Sequence, residues 1–141
     1  MRSILVCAAA IFVVALPSLV KADQSQFDGT WSVTITCPSN TEPSGALGYT
    51  YQFVASVKEG MLVGQFGVDG KPSSVKITGQ IQTNGSAMLH AIGRTGESPY
   101  AVKHPPISTM YEYDIKAQFN GSQGVGSRLQ ARKCELVFIK Q

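Results

Sequence analysis

Apolar and polar residues alternate along most of this chain, and the alternation indicates its fold. In residues 29–37 one face of the pattern is apolar and the other consists of threonine and serine; the apolar face carries Trp31, Val33, Ile35 and Cys37. Because successive side chains of a β-strand point to opposite sides, this pattern predicts a half-buried strand. Similar alternation predicts further strands in residues 49–58, 61–68, 74–83, 87–91, 109–119 and 125–140.

Short turn sequences separate the predicted strands. Asp69-Gly70, Asn84-Gly85 and Asn120-Gly121 readily adopt the positive φ angles of tight hairpins, so each pair predicts two antiparallel neighbours. Proline, glycine and polar residues in 38–48 and 93–99 predict loops. Residues 100–103 fit either a short strand or a loop. The alternation shifts near residues 133–135, which predicts a β-bulge in the last strand.

Seven or eight short strands joined in this way predict an all-β protein. Closing them into a small up-and-down antiparallel β-barrel removes both exposed sheet edges, and a two-sheet β-sandwich is the alternative. No stretch shows the helical period, and the frequent glycines argue against one.

The first 22 residues have the pattern of a secretory signal peptide. Arg2 precedes an apolar run of 13 residues from Ile4 to Leu16, and Val20 and Ala22 are small residues at the positions a signal peptidase reads. The run is short for a membrane anchor or a buried core helix, which are the alternatives. We expect cleavage after Ala22, which leaves residues 23–141 as a single domain in a secreted or periplasmic protein.

Charge and cysteine content fit that compartment. Loss of Arg2 and Lys21 leaves 10 basic residues against 9 acidic ones, so the mature chain is nearly neutral and we expect no nucleic-acid partner. The remaining cysteines, Cys37 and Cys134, form an even pair in an oxidising compartment, which predicts a disulfide between the first and last strands. A reactive dithiol would favour closer Cys-x-x-Cys spacing.

The start of the mature chain, Phe27-Asp28-Gly29-Thr30-Trp31, resembles the Gly-x-Trp opening of lipocalin- and avidin-type (calycin-like) barrels. The resemblance implies that Trp31 plugs one end of a barrel and that an arginine or lysine of the last strand packs across it. Arg128 and Arg132 are the matching residues. Biotin binding is not implied, because this chain has one tryptophan whereas avidin builds its pocket from several. The predicted small disulfide-closed barrel also resembles that of bacterial periplasmic metalloprotease inhibitors, which implies protease inhibition as a second possibility.

The predicted ligand contacts are four tyrosines: Tyr49, Tyr51, Tyr111 and Tyr113. Each pair begins a predicted strand, and tyrosine offers an apolar face together with a hydroxyl, which suits a pocket of mixed polarity. The alternative is that these side chains simply fill the interior of a small barrel. If residues 100–103 form a loop, both pairs begin at the same barrel end; if they form a strand, the pairs begin at opposite ends.

Neither a metal site nor a catalytic site is predicted. His90 and His104 have no acidic residue or cysteine close to them in the sequence, whereas a zinc site needs three or four ligands. The chain has no Gly-x-Ser-x-Gly motif and no cofactor motif. We therefore expect a protein that is not an enzyme and carries no cofactor. Asn84 and Asn120 begin glycosylation sequons that are also hairpin turns.

The functional hypothesis from the sequence is a non-enzymatic binding protein that holds a small, partly apolar ligand at the barrel mouth. One alternative is a protein-interaction module, such as an inhibitor of an extracellular protease, that uses loops 38–48 and 93–108. Another is a structural envelope protein.

Overall fold

A computed structural model of the protein describes residues 23–40 and 45–141. The predicted signal peptide, residues 1–22, and the middle of the loop 38–48 lie outside the described residues. Within the described part of the chain, no helix is long and apolar enough to cross a membrane.

Eight antiparallel strands, each hydrogen-bonded to the next along the chain, form a barrel that closes where the last strand pairs with the first. This architecture confirms the predicted all-β up-and-down barrel and excludes the sandwich. The strands are β1 (Gly29–Cys37), β2 (Tyr49–Lys58), β3 (Met61–Phe66), β4 (Ser74–Gln80), β5 (Ser86–Arg94), β6 (Met110–Asn120), β7 (Gln123–Arg128) and β8 (Glu135–Lys140).

The structure decides between the strand and the loop for residues 100–103, and it differs from one further prediction. Residues 100–103 are not a strand, because a short 3₁₀ helix, Ser98–Tyr100, and a turn occupy this part of the loop between β5 and β6. The predicted bulge in 125–140 was wrong. The chain leaves the ladder after Arg128, passes through Ala131 with a φ of 69°, and returns as a separate strand at Glu135. The shift in alternation therefore marks a reversal of the chain.

A 3₁₀ helix, Gln24–Phe27, closes the barrel end at which β1 begins. Phe27 is buried, and its carbonyl accepts a hydrogen bond of 2.8 Å from Nε1 of Trp31. Trp31 meets the ring of Phe119 edge-on at 5.3 Å between centroids. The carboxylate of Asp28 accepts hydrogen bonds from the backbone N–H groups of Glu59 and Gly60, at 2.8 and 3.0 Å. The motif that prompted the family resemblance thus closes this end and fastens the β2–β3 turn.

The arginines implied to cover Trp31 lie elsewhere, so that prediction was wrong. Because β7 runs away from the closed end, Arg128 at its last residue and Arg132 beyond it lie at the opposite end of the barrel. The residue of the last strand that pairs with Trp31 is Lys140, and its Nζ donates a hydrogen bond of 3.2 Å to the carbonyl of Gln26.

A disulfide joins Cys37 to Cys134 with an S–S distance of 2.04 Å and a sequence separation of 97, as predicted. Cys37 is the last residue of β1, and Cys134 directly precedes β8. The bond therefore fastens the barrel seam at the end opposite Trp31. Structural disulfides of this kind are typical of extracellular and periplasmic proteins.

Candidate ligand site at the barrel mouth

We call the end of the barrel opposite the Trp31 plug the mouth: β1, β3, β5 and β7 end there, and β2, β4, β6 and β8 begin there. Tyr49 and Tyr51 lie at the beginning of β2, and Tyr111 and Tyr113 lie at the beginning of β6. Since residues 100–103 form a loop, both tyrosine pairs begin at the same end. This is the arrangement in which they share one opening.

Aromatic rings line two walls of the mouth. On one wall Tyr51 stacks on Tyr49 at 5.6 Å between ring centroids and meets Phe66 of β3 at 4.3 Å. On the other wall Tyr111 and Tyr113 stack almost in parallel, 6.0 Å apart with 2° between their planes. Such pairs hold each other's rings in fixed orientations.

A cavity of about 600 Å³, partly open to solvent, lies between these walls. Tyr49, Tyr51 and Tyr111 border it, whereas Tyr113 stands behind Tyr111 and belongs to the buried core. Beneath the cavity the barrel is filled with buried apolar side chains that include Phe53, Leu62, Ile77, Leu89 and Phe138. Tyr113 therefore belongs to the core, whereas Tyr49, Tyr51 and Tyr111 border the cavity and remain candidates for ligand contact.

Burial raises the pKa of three tyrosines at the mouth, Tyr51, Tyr111 and Tyr113. It raises the pKa of Tyr113 to about 12, although the nearby guanidinium of Arg128 opposes the shift. Burial is also the main cause that raises the pKa of Tyr51 and of Tyr111 still further, and repulsion from neighbouring phenolates adds to it. The Tyr111 hydroxyl donates a hydrogen bond of 3.4 Å to the carbonyl of Ser74. The phenols thus serve as neutral hydrogen-bonding groups at physiological pH.

These pKa shifts predict an alkaline loss of stability. Tyrosine in an unfolded chain ionises near pH 10. Because the pKa values of Tyr51, Tyr111 and Tyr113 are raised in the folded protein, these side chains ionise in the unfolded state at a lower pH than in the folded state. We expect the free energy of unfolding to be unaffected by this ionisation below about pH 10 and to fall progressively above it. Urea unfolding at a series of alkaline pH values, with tyrosinate absorbance recorded in parallel, measures both effects. Reversible ionisation of all tyrosines near pH 10 in the folded protein would contradict this prediction.

Arg132 is the most buried charged residue at the mouth, with 7% of its surface exposed. Its Nη atoms donate hydrogen bonds to three backbone carbonyls, those of Pro38, Leu47 and Tyr100. Its guanidinium carbon lies 5.1 Å from the ring centroid of Tyr49. Burial is the main cause that lowers the pKa of Arg132; the interaction with Tyr49 opposes this shift, and the positive charge of Arg128 adds to it. The Nε–H is buried and has no hydrogen-bond acceptor among the described residues.

Two further arginines and one glutamate border the cavity. The guanidinium of Arg128 lies 3.9 Å above the ring of Tyr113, and its Nε donates to the carbonyl of Gln130 at 2.7 Å. Arg94 donates to the carbonyl of Ser108 at 2.9 Å. Glu97 is the single acidic residue among the described residues that line the cavity. Both ion pairs found in the described residues involve His90, so these arginines have no carboxylate partner there.

Sequence reasoning did not find Phe66, Arg94 or the position of the two predicted arginines. Phe66 lies in the inward row Leu62-x-Gly64-x-Phe66 of β3, and that row is visible as alternation in the sequence. The arginines gave no such signal, because their position depends on where β7 ends.

His90 lies on the outer surface, away from the mouth. Cross-strand pairing places Asp114 opposite it, and Nδ1 of His90 lies 2.8 Å from the Asp114 carboxylate. Glu112 lies 3.6 Å from Nε2. The hydrogen bond from His90, with one from Gln130, lowers the pKa of Asp114. Across the part of the chain that the structure describes, no group of three or more His, Cys, Asp or Glu side chains is placed to hold a metal ion.

A groove of about 780 Å³ also runs over the outer face of β5–β8, between side chains that include Met88, Lys116, Val125 and Val137. It is larger than the mouth cavity, yet it is a surface depression over outward-facing residues. The mouth is the better candidate site because aromatic faces, hydroxyls and guanidinium groups converge in it.

Comparisons with protein-family models, curated proteins and solved structures found no match for this chain. The eight-strand barrel is compatible with a calycin-like fold.

Proposed function

We propose that this protein is an exported, non-enzymatic binding protein that holds a small, partly apolar ligand in the mouth cavity. The observation that carries the proposal is the cavity of about 600 Å³ bordered by Tyr49, Tyr51, Phe66 and Tyr111 above a filled interior. All five tyrosines of the chain, including Tyr100 and Tyr113, are gathered around it.

The size and lining of the cavity support a small-molecule ligand. Binding pockets usually measure roughly 300–1,000 Å³ and combine apolar walls with a few fixed polar groups. Here the rings of Tyr51 and Phe66 provide an apolar wall, whereas the phenol of Tyr111 and the arginines provide polar groups. A ligand with both apolar and polar parts matches this lining.

The mouth is also fixed in shape by covalent and polar links. The Cys37–Cys134 disulfide holds the β1–β8 seam, and Arg132 ties together the segments that carry Pro38, Leu47 and Tyr100. Because a preformed site loses little conformational entropy on binding, such links favour affinity.

Action outside the cytosol is supported by the disulfide together with the signal-peptide pattern of residues 1–22. In that setting a neutral barrel with a small-molecule pocket would serve to carry or sequester its ligand.

The proposal is tested with a neutral apolar fluorophore, phenyl-naphthylamine. We expect saturable fluorescence enhancement at one site per chain. Tyr111→Ala should weaken binding by roughly tenfold, because loss of one aromatic wall removes on the order of 1 kcal/mol of contact energy.

Met88→Ala is the matched control, since Met88 is 57% exposed and lines the outer groove. It should leave the affinity unchanged. If Met88→Ala weakened binding while Tyr111→Ala did not, the ligand would occupy the outer groove. Absence of binding, combined with capture of an extracellular protease by the mouth loops, would favour the interaction module instead.

A further inference from the structure

Basic residues outnumber acidic ones among the described residues that line the mouth cavity. Arg94, Arg128 and Arg132 line it, and Glu97 is the single acid among the described lining residues. None of the three arginines forms an ion pair there, because both ion pairs of the described residues belong to His90. Guanidinium groups remain charged at any physiological pH, so the described residues that line the cavity carry a net positive charge.

Arg132 leaves a hydrogen-bond donor without a partner at this site. Its Nη groups are used by backbone carbonyls, but its Nε–H is buried and has no acceptor among the described residues. A buried donor without an acceptor is unfavourable by about 1–3 kcal/mol, and buried polar groups in native proteins are nearly always paired. Because this Nε has almost no accessible surface, Arg132 contributes positive charge to the cavity wall and no accessible donor at that atom.

Arg128 offers further donors. Its Nε is bonded to Gln130, whereas its two Nη groups have no hydrogen-bond acceptor among the described residues. Its guanidinium plane is held over Tyr113 by a cation–π contact at 3.9 Å, which fixes the orientation of the side chain. Arg128 therefore presents available N–H groups to an aromatic cavity whose lining also includes Arg132.

We infer that the ligand of the mouth is an amphipathic organic anion, with an aromatic or apolar body and one carboxylate or comparable anionic group. The body would lie against Tyr51, Phe66 and Tyr111, and the anionic group would accept hydrogen bonds from the Nη groups of Arg128. This inference rests on the proposed function, because it assigns a charge to the ligand of the same cavity. Charge-assisted hydrogen bonds to guanidinium are among the stronger polar contacts in proteins.

Two dyes with the same aromatic body separate the inference from the proposed function. Phenyl-naphthylamine is neutral, and anilinonaphthalene sulfonate is the same molecule with an added anionic group. We expect the sulfonate dye to bind the wild-type protein about tenfold more tightly, the effect of one charge-assisted hydrogen bond. Equal or tighter binding of the neutral dye would overturn the inference and leave the proposed function standing. If neither dye bound, the proposed function would fail and the inference with it.

The Arg128→Gln variant locates the charge effect. It should reduce affinity for the sulfonate dye about five- to tenfold more than it reduces affinity for the neutral dye. Lys76→Gln is the matched control, because it removes one positive charge from the exposed outer face of β4. Arg94→Gln serves as a second cavity variant, and thermal melting verifies that each variant is folded. Sulfonate binding that is insensitive to both arginine variants, or that falls equally in Lys76→Gln, would overturn the inference.

Discussion

Replacing both Cys37 and Cys134 with serine is expected to lower the free energy of unfolding by about 3–5 kcal/mol. The disulfide closes a loop with a sequence separation of 97, and a loop of that size restricts the unfolded chain strongly in the chain-entropy model. For a domain of this length, such a loss lowers the melting temperature by on the order of 10–20 °C.

The position of the disulfide in the barrel adds to the stabilisation that the size of the closed loop provides. The bond joins the end of β1 to the residue before β8, so it holds the pair of strands that closes the barrel. Hydrogen bonds of the β1–β8 ladder near Thr36 and Glu135 should therefore exchange faster in the double variant. Urea unfolding provides the stability, and hydrogen exchange resolved by peptide provides the location.

Reduction of the wild-type protein is the companion experiment. A reductant should lower the melting temperature of the wild type and leave that of the double serine variant unchanged. A melt that does not move after thiol titration has verified complete reduction would contradict a stabilising role for the bond.

The barrel could be predicted from the sequence because the features that specify it are local: the alternation within each strand and the turn residues between strands. Alternation fixes which side chains of β1, β2 and β6 face inward, and Asn84-Gly85 and Asn120-Gly121 make the neighbouring strands antiparallel. Once sequential strands pair, closure is the remaining way to satisfy the two edges. Each step uses residues that are close together along the chain.

The position of the arginines could not be predicted in the same way. A shift in alternation near residues 133–135 is produced equally by a bulge and by a reversal of the chain, since both change the parity of the side chains. With one bulged strand in 125–140, Arg128 and Arg132 would lie in the middle of that strand. The reversal at residues 129–134 places both at the mouth instead. The error about the bulge and the error about Trp31 therefore have one cause.

The tyrosine site was partly predictable. The pairs Tyr49/Tyr51 and Tyr111/Tyr113 mark strand beginnings, and sequence alone tied their meeting to the loop character of residues 100–103. That loop depends on long-range contacts such as the hydrogen bond from Leu47 to the carbonyl of Pro99, at 2.8 Å. Local pattern carries no information about such a contact, so both outcomes remained open until the structure was known.

Arg132→Met is expected to lower the free energy of unfolding by about 2–3 kcal/mol. Methionine preserves the length and apolar stem of the side chain, but the carbonyls of Pro38, Leu47 and Tyr100 lose their donor. Partly buried carbonyls without a donor are unfavourable by about 1–3 kcal/mol each. Relief from burying the guanidinium charge, whose pKa burial lowers, offsets part of this loss. Chemical denaturation measures the net change.

Arg128→Met is the matched control, because Arg128 donates one hydrogen bond to a neighbouring carbonyl and is less buried. It should change stability by less than about 1 kcal/mol. Arg132 and the disulfide both hold the segment after β1 to the loop before β8, since Pro38 follows Cys37 and Arg132 lies two residues before Cys134. The losses of stability in Arg132→Met and in the double serine variant should therefore be non-additive when the changes are combined. Both links hold the same two segments together, so separation of those segments breaks both. Strict additivity, or a stability of Arg132→Met equal to that of Arg128→Met, would show that Arg132 does not link these segments.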